Sequence, residues 1–252
     1  MIVDADCHIS PYPDPPEMTA DELVRLLDEN GVDRALCWLK PPYGRDLKES
    51  NRTVHEATQE YPERIVGFGW ANPRLGLETA LEDVEICLQD YGFVGVKLNG
   101  AQEEYFIDDE DLVIPVIERI AELGGVLAFH CGADAYEYTH PFRAAKVAAR
   151  FPELRILLAH MGGVGTPNLH KATIEFAEQH SNLYLIASAA RSQAILRAID
   201  VLGADRICYG TDTPFALMHV ELARFKALLR DRTDEERDLV MGGSILRALG
   251  LQ

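Results

Sequence analysis

Ile2-Val3-Asp4-Ala5-Asp6-Cys7-His8 opens the chain with a short apolar run that ends in an acid and an imidazole. The same placement recurs at Val126-Leu127-Ala128-Phe129-His130, at Ile156-Leu157-Leu158-Ala159-His160 and in the segment from Ile207 to Asp212. Each reads as a β-strand that ends on a group able to bind a metal or handle a proton. In a parallel α/β barrel all strand ends share one face, so residues far apart in sequence can converge on one ion. Within a strand, residues two apart point the same way, which pairs Asp6 with His8 and sets Asp4 one step deeper on the same side.

Working outward, eight β-like runs are legible at 2–6, 34–39, 65–71, 94–98, 126–130, 156–160, 183–187 and 207–209. Most are apolar at nearly every position, the pattern of strands covered on both faces. Helical patterns lie between them. Thr19 with Glu22 and Thr233 with Glu236 form capping-box signatures, and Gly31 supplies a stop after Leu23, Leu26 and Leu27. Thr166-Pro167 predicts an N-cap and first-turn proline. Further helices are expected over 48–60, 76–90, 109–123, 141–150, 190–202 and 215–230. The expected fold is α/β, a single distorted (β/α)8 TIM barrel in one domain over 1–252, with the site at the C-terminal strand ends. An open doubly wound sheet is the alternative, although Gly162-Gly163-Val164-Gly165 lacks the full dinucleotide fingerprint.

The 252 residues carry a net charge of −17, which disfavours nucleic acid and anionic membranes as partners. No apolar stretch approaches the roughly 20 residues of a membrane span. The N-terminus lacks the basic and apolar regions of a secretory signal, and five cysteines without C-x-x-C spacing suit a reducing compartment, so a cytoplasmic location is expected. A small-molecule substrate is the expected partner, and a homodimer is compatible with the sequence. Lys40, Arg45, Lys97 and Arg191 follow predicted strands and favour an anionic substrate. Arg191 offers a bidentate clamp for a carboxylate. Trp38, Trp70, Tyr43, Tyr136 and Tyr138 are candidate pocket walls, with ordinary packing as their alternative.

As a set, Asp6-Cys7-His8, Phe129-His130, His160-Met161-Gly162-Gly163, Gly210-Thr211-Asp212-Thr213-Pro214 and the terminal Ile245-Leu246-Arg247-Ala248-Leu249-Gly250-Leu251 resemble the amidohydrolase superfamily. The resemblance is strongest to its branch of amidohydrolase-related proteins that includes aminocarboxymuconate-semialdehyde decarboxylase. It implies one divalent metal held by Asp6, His8, His130 and Asp212, with His160 beside the reacting water or substrate. The first histidine of the common family motif is Asp6 here. That harder oxygen ligand leaves zinc, the expected metal, and manganese both open. No organic cofactor is expected. Lys97 stands where other branches carry a metal-bridging lysine, and a substrate-binding ammonium is the preferred role. Asn99, also assigned to substrate binding, replaces the histidine of a Lys-Leu-His pattern.

These residues lead to the expectation of a metal-dependent hydrolase for a small anionic amide, ester or lactone. The metal lowers the pKa of bound water to about 7. Asp212 serves as the proton acceptor, and His160 steadies the oxyanion or the water. The alternative is a non-oxidative metal-dependent decarboxylase, and a third reading is a catalytically silent, ligand-binding barrel.

Overall fold

Strands and helices alternate in the order that the apolar runs predict. The computed structural model describes residues 1–41, 46–132 and 135–251. Its strands are β1 (Val3–Ile9), β2 (Arg34–Leu39), β3 (Ile65–Gly67), β4 (Gly69–Trp70), β5 (Gly95–Leu98), β6 (Val126–Phe129), β7 (Ile156–Leu158), β8 (Leu183–Ile186) and β9 (Ile207–Cys208). Neighbours pair in parallel in two ladders, β1 to β3 and β4 to β9. β3 and β4 are halves of the single run expected at 65–71, parted at Phe68, whose amide donates to Cys37 O (2.9 Å). The other seam closes on β1. Ala5 N donates to Tyr209 O (2.9 Å), Asp212 N to Asp6 O (2.9 Å) and His8 N to Thr213 O (2.8 Å), which makes a barrel of eight staves.

Side chains from the strands sort into two packed layers. Leu36, Trp38, Val66, Phe68, Val126, Ala128, Leu157, Ile186 and Cys208 fill the barrel interior. Their sequence neighbours, such as Cys37, Leu127, Phe129 and Leu185, pack against helix residues including Leu23, Leu27 and Val54. Ile245, Ala248 and Leu249 of the C-terminal helix Ser244–Leu249 join Val3 in the interior layer and cover the N-terminal end of the barrel.

β1 departs from simple alternation. Asp4 pairs with Ala35 but Cys7 with Cys37, so β1 holds one extra residue there. This bulge moves Val3 and Ala5 to the interior layer and Cys7 and Ile9 to the helix layer. It therefore re-aims Asp6 and His8 inward, and the expected single column of Asp4, Asp6 and His8 is broken.

Helix starts follow local chemistry. Both capping boxes form, at Thr19 with Glu22 and at Thr233 with Glu236. Thr166 precedes the helix Pro167–Gln179 but does not cap it, because its hydroxyl donates to Val164 O (3.0 Å). The helix expected over 109–123 begins only at Ile114, since the Asp109 carboxylate takes the amides of Asp111 and Leu112 in a turn. Among the described residues no helix is long and apolar enough to cross a membrane.

Candidate active site

Parity along the strands selects which side chains reach the barrel mouth. Continuing the interior positions Val126 and Ala128 leads to His130; Ile186 leads to Ser188; Cys208 leads through Gly210 to Asp212. A Cβ at Gly210 would stand 3.1 Å from the Asp6 Cβ, so glycine lets these two staves approach. His160 does not end its strand as expected. β7 stops at Leu158, and His160 follows in a tight turn with φ 56 and Met161 at φ 49. Asp212 likewise lies beyond β9, with φ 64. Non-glycine residues held in this left-handed region carry strain, which surrounding contacts must fix.

These groups converge. His8 Nε2 lies 3.3 Å from Asp6 Oδ1 and 3.4 Å from Asp212 Oδ1. Ligand atoms of Asp6, His160 and Asp212 fall within 4.8 Å of one another. The His130 and His160 rings meet edge to face at 5.0 Å. His8, His130, His160 and Asp212 line one cavity of about 260 Å³ with Pro41, Gln102, Val164 and Phe215. Phe215 also packs edge-on against His8, at 5.3 Å.

The donor set suits a divalent cation. His8 Nδ1 lies 3.0 Å from Leu39 O, an acceptor only, so Nδ1 carries the proton and the Nε2 lone pair faces two carboxylates. Trp38 Nε1 donates to that same lone pair (3.1 Å), a hydrogen bond that a metal at Nε2 would displace. Asp6 Oδ1 is buried without a hydrogen-bond partner. Lone pairs and carboxylate oxygens this close repel unless positive charge lies among them. Consistently, although burial opposes it, Asp212 and Asp6 raise the His8 pKa above its ordinary value. Burial would raise Asp6, but the close approach of His8 and the positive charge of Lys97 hold its carboxyl below the usual range.

Behind this cluster, Asp4 accepts from Thr211 N (2.9 Å), Thr211 Oγ1 (2.6 Å) and Asp6 N (3.1 Å), tying β1 to the loop that carries Asp212. Ser188 Oγ bridges Asp6 Oδ2 and His160 Nδ1. Ser188 belongs to no motif in the sequence, although it continues the interior column of β8.

The residues expected to bind substrate divide. Lys97 is buried, its ammonium 3.6 Å from the centre of the Trp38 ring and 5.3 Å from that of Trp70. Burial lowers its pKa to about 8, against the pull of Asp6 and Asp212. Trp38 and Trp70 are fully buried and act as braces, Trp38 on His8 and Trp70 through Nε1 to Glu103 Oε1 (2.8 Å). Asn99 is buried too. Its side chain holds Gln102, accepting from its amide N (3.2 Å) and donating to Oε1 (2.6 Å), so Gln102 rather than Asn99 lines the cavity. Arg191 is exposed in a separate groove with Pro167, Lys171, Ile174 and Arg197, and donates to Gly165 O (2.9 Å). It precedes the helix Ser192–Leu202, which carries it away from the mouth. Lys40 is locked onto Asp14 and the Pro16 carbonyl. Tyr136 is exposed, and Tyr138 packs on Phe106. Tyr43 and Arg45 lie outside the described residues.

Comparison with known proteins gives a consistent picture. The family profile described as Amidohydrolase matches residues 44–251. The gamma-resorcylate decarboxylase of Polaromonas sp. strain JS666 is 25% identical over 256 residues, with 77% of each chain covered. The 2-amino-3-carboxymuconate-6-semialdehyde decarboxylase of Dictyostelium discoideum is 22% identical over 250 residues, covering 85% of this chain and 69% of that one. Among solved structures, a dihydroxybenzoic acid decarboxylase from Polaromonas sp. JS666, with bound manganese and the inhibitor 2-nitroresorcinol, superposes with a TM-score of 0.76 at 20% identity. The match covers 99% of this chain and 97% of that one. These likenesses support the TIM-barrel fold and an enzyme. They favour the decarboxylase alternative over the expected hydrolase.

Proposed function

Because the chain belongs to the amidohydrolase family, we propose that it is a divalent-metal-dependent carboxy-lyase acting on a small aromatic or unsaturated carboxylate. The observation that carries this reading is the approach of the Asp6 and Asp212 carboxylates to His8 Nε2, 3.3 and 3.4 Å away, beside a cavity of about 260 Å³, in a chain whose curated relatives are decarboxylases. Asp6, His8, His130 and Asp212 would hold the metal. Manganese is the favoured ion, because two carboxylates harden the donor set and manganese is bound in the related structure. When bound, the metal supplies a Lewis acid that draws electron density from oxygens of the substrate.

The chain's own groups supply the rest. Asp212, with its side chain 19% exposed at the cavity, takes up a proton from solvent water and delivers it to the substrate carbon that bears the carboxylate. The new C–H bond is made with a π pair of the substrate; the bond from that carbon to the carboxylate then breaks, its electron pair restores the double bond or aromatic ring, and carbon dioxide leaves. His160 holds the departing carboxylate in register, and Lys97 contributes positive charge behind Asp6. Phe215 and Val164 give the substrate ring an apolar wall, and Gln102 offers it an amide edge.

The test is turnover of a panel of hydroxybenzoates, unsaturated amino acids bearing carboxylates, amides and lactones, by protein stripped with a strong chelator and reloaded with Mn²⁺. Carbon dioxide released from a carboxylate by the reloaded protein, and absent from the stripped protein, is the expected result. Cleavage of an amide or lactone without carbon dioxide would restore the hydrolase reading. Full turnover after stripping would defeat both.

A further inference from the structure

Ser188 stands directly beyond the interior column of β8, and its side chain is fully buried. Three contacts define it. Its Oγ lies 2.5 Å from Asp6 Oδ2 and 3.0 Å from His160 Nδ1, and its carbonyl oxygen lies 3.4 Å from that same Nδ1. Ala189 follows with φ 51, a turn that keeps both Ser188 oxygens directed at His160.

Donor and acceptor counting fixes the direction of this chain. A carboxylate only accepts, so the single hydroxyl proton of Ser188 goes to Asp6 Oδ2. The Ser188 carbonyl also only accepts, so His160 Nδ1 carries a proton, shared between the carbonyl and Oγ. The sequence of bonds is therefore His160 Nδ1–H to Ser188 Oγ–H to Asp6 Oδ2. With one Asp6 oxygen engaged, the other, Oδ1, is left without a hydrogen bond and faces His8 Nε2. With Nδ1 protonated, the lone pair of a neutral His160 resides on Nε2.

We propose that Ser188 is a positioning residue that sets two orientations at once: the single Asp6 oxygen presented to a divalent metal, and the Nδ1–H tautomer of His160. Ser188 touches neither the metal nor the substrate. It acts through the two groups that do. Hydrogen-bond partners of this kind stop a carboxylate from rotating and stop an imidazole from exchanging tautomers, and losing one costs about 10- to 100-fold in metal affinity. The role toward the metal rests on the proposed metal site, whereas the tautomer role belongs to the chain alone.

The experiment has two readouts on wild type, S188A and S188C. The first is the Mn²⁺ dissociation constant by competition with a chromogenic chelator. The second is the ¹⁵N shift pair of the His160 ring in stripped protein, which reports the tautomer without any metal. S188C keeps the volume and a weak donor, so it serves if S188A does not fold. Wild type should show a single Nδ1–H tautomer. S188A should bind Mn²⁺ about 10-fold or more weakly and show a mixed His160 tautomer, with S188C between them. Unchanged metal affinity together with an unchanged tautomer in a folded variant overturns the proposal. If wild type itself binds no divalent ion, the metal reading falls, and the His160 tautomer in S188A still decides whether Ser188 orients that ring.

Discussion

Asp212 and Glu103 show how burial and backbone shape give a carboxylate its task. Asp212 sits on a left-handed turn, its backbone N–H donating to Asp6 O, with its side chain partly open to the cavity. D212N keeps the shape and removes the acid. Carbon dioxide release in excess Mn²⁺ should fall about 100-fold or more while circular dichroism is unchanged. Glu103 is a carboxyl beneath Trp70, and burial raises its pKa from 4.5 to about 8 against the Trp70 hydrogen bond. Between those values the folded chain holds a proton there that the unfolded chain has released. Stability from this group is therefore lost as pH rises from 4.5 toward 8. The urea midpoint should fall less steeply over that interval in E103Q than in wild type; parallel profiles would remove Glu103 as the cause.

At the scale of an element, the turn after β7 decides where His160 goes. Gly162 has φ +84, and an added Cβ would lie 1.9 Å from Thr173 Oγ1 on the helix beneath. G162A should push this turn off that helix, with a loss of about 1–3 kcal/mol in stability and a larger loss of turnover. Normal activity in a folded G162A would show that the turn tolerates displacement. The same element shows what the sequence conveys. Apolar runs and caps marked nearly all strands and several helices, because periodicity and N-cap chemistry are local. The ends of β1, β6 and β9 pointed to Asp6, His8, His130 and Asp212 for the same reason. The bulge in β1 was not legible, since it is a register between β1 and β2. The left-handed backbone at His160 was hidden too, because it is imposed by neighbouring elements. Arg191 misled, being one residue short of a helix that turns away from the mouth. Ser188 was readable only through strand parity, and a serine after a strand otherwise signals a loop.

At the scale of the molecule, the barrel joins its first stave to its last through β1 and the segment that follows β9. Ala5, His8 and Asp212 supply the joining amides. Among the described residues no other strand covers that flank of β1, so a chain still lacking its final fifth presents bare amide and carbonyl groups along a seven-residue strand that is buried when the barrel is closed. Such intermediates pair readily with one another. A fragment ending at residue 200 should therefore sediment as aggregate, whereas supplying residues 201–252 in trans should keep it dispersed. Light scattering measures both. During synthesis the last stave must leave the ribosome before the first can be sheltered, so this edge stays open until the segment from Ile207 to Thr213 has emerged.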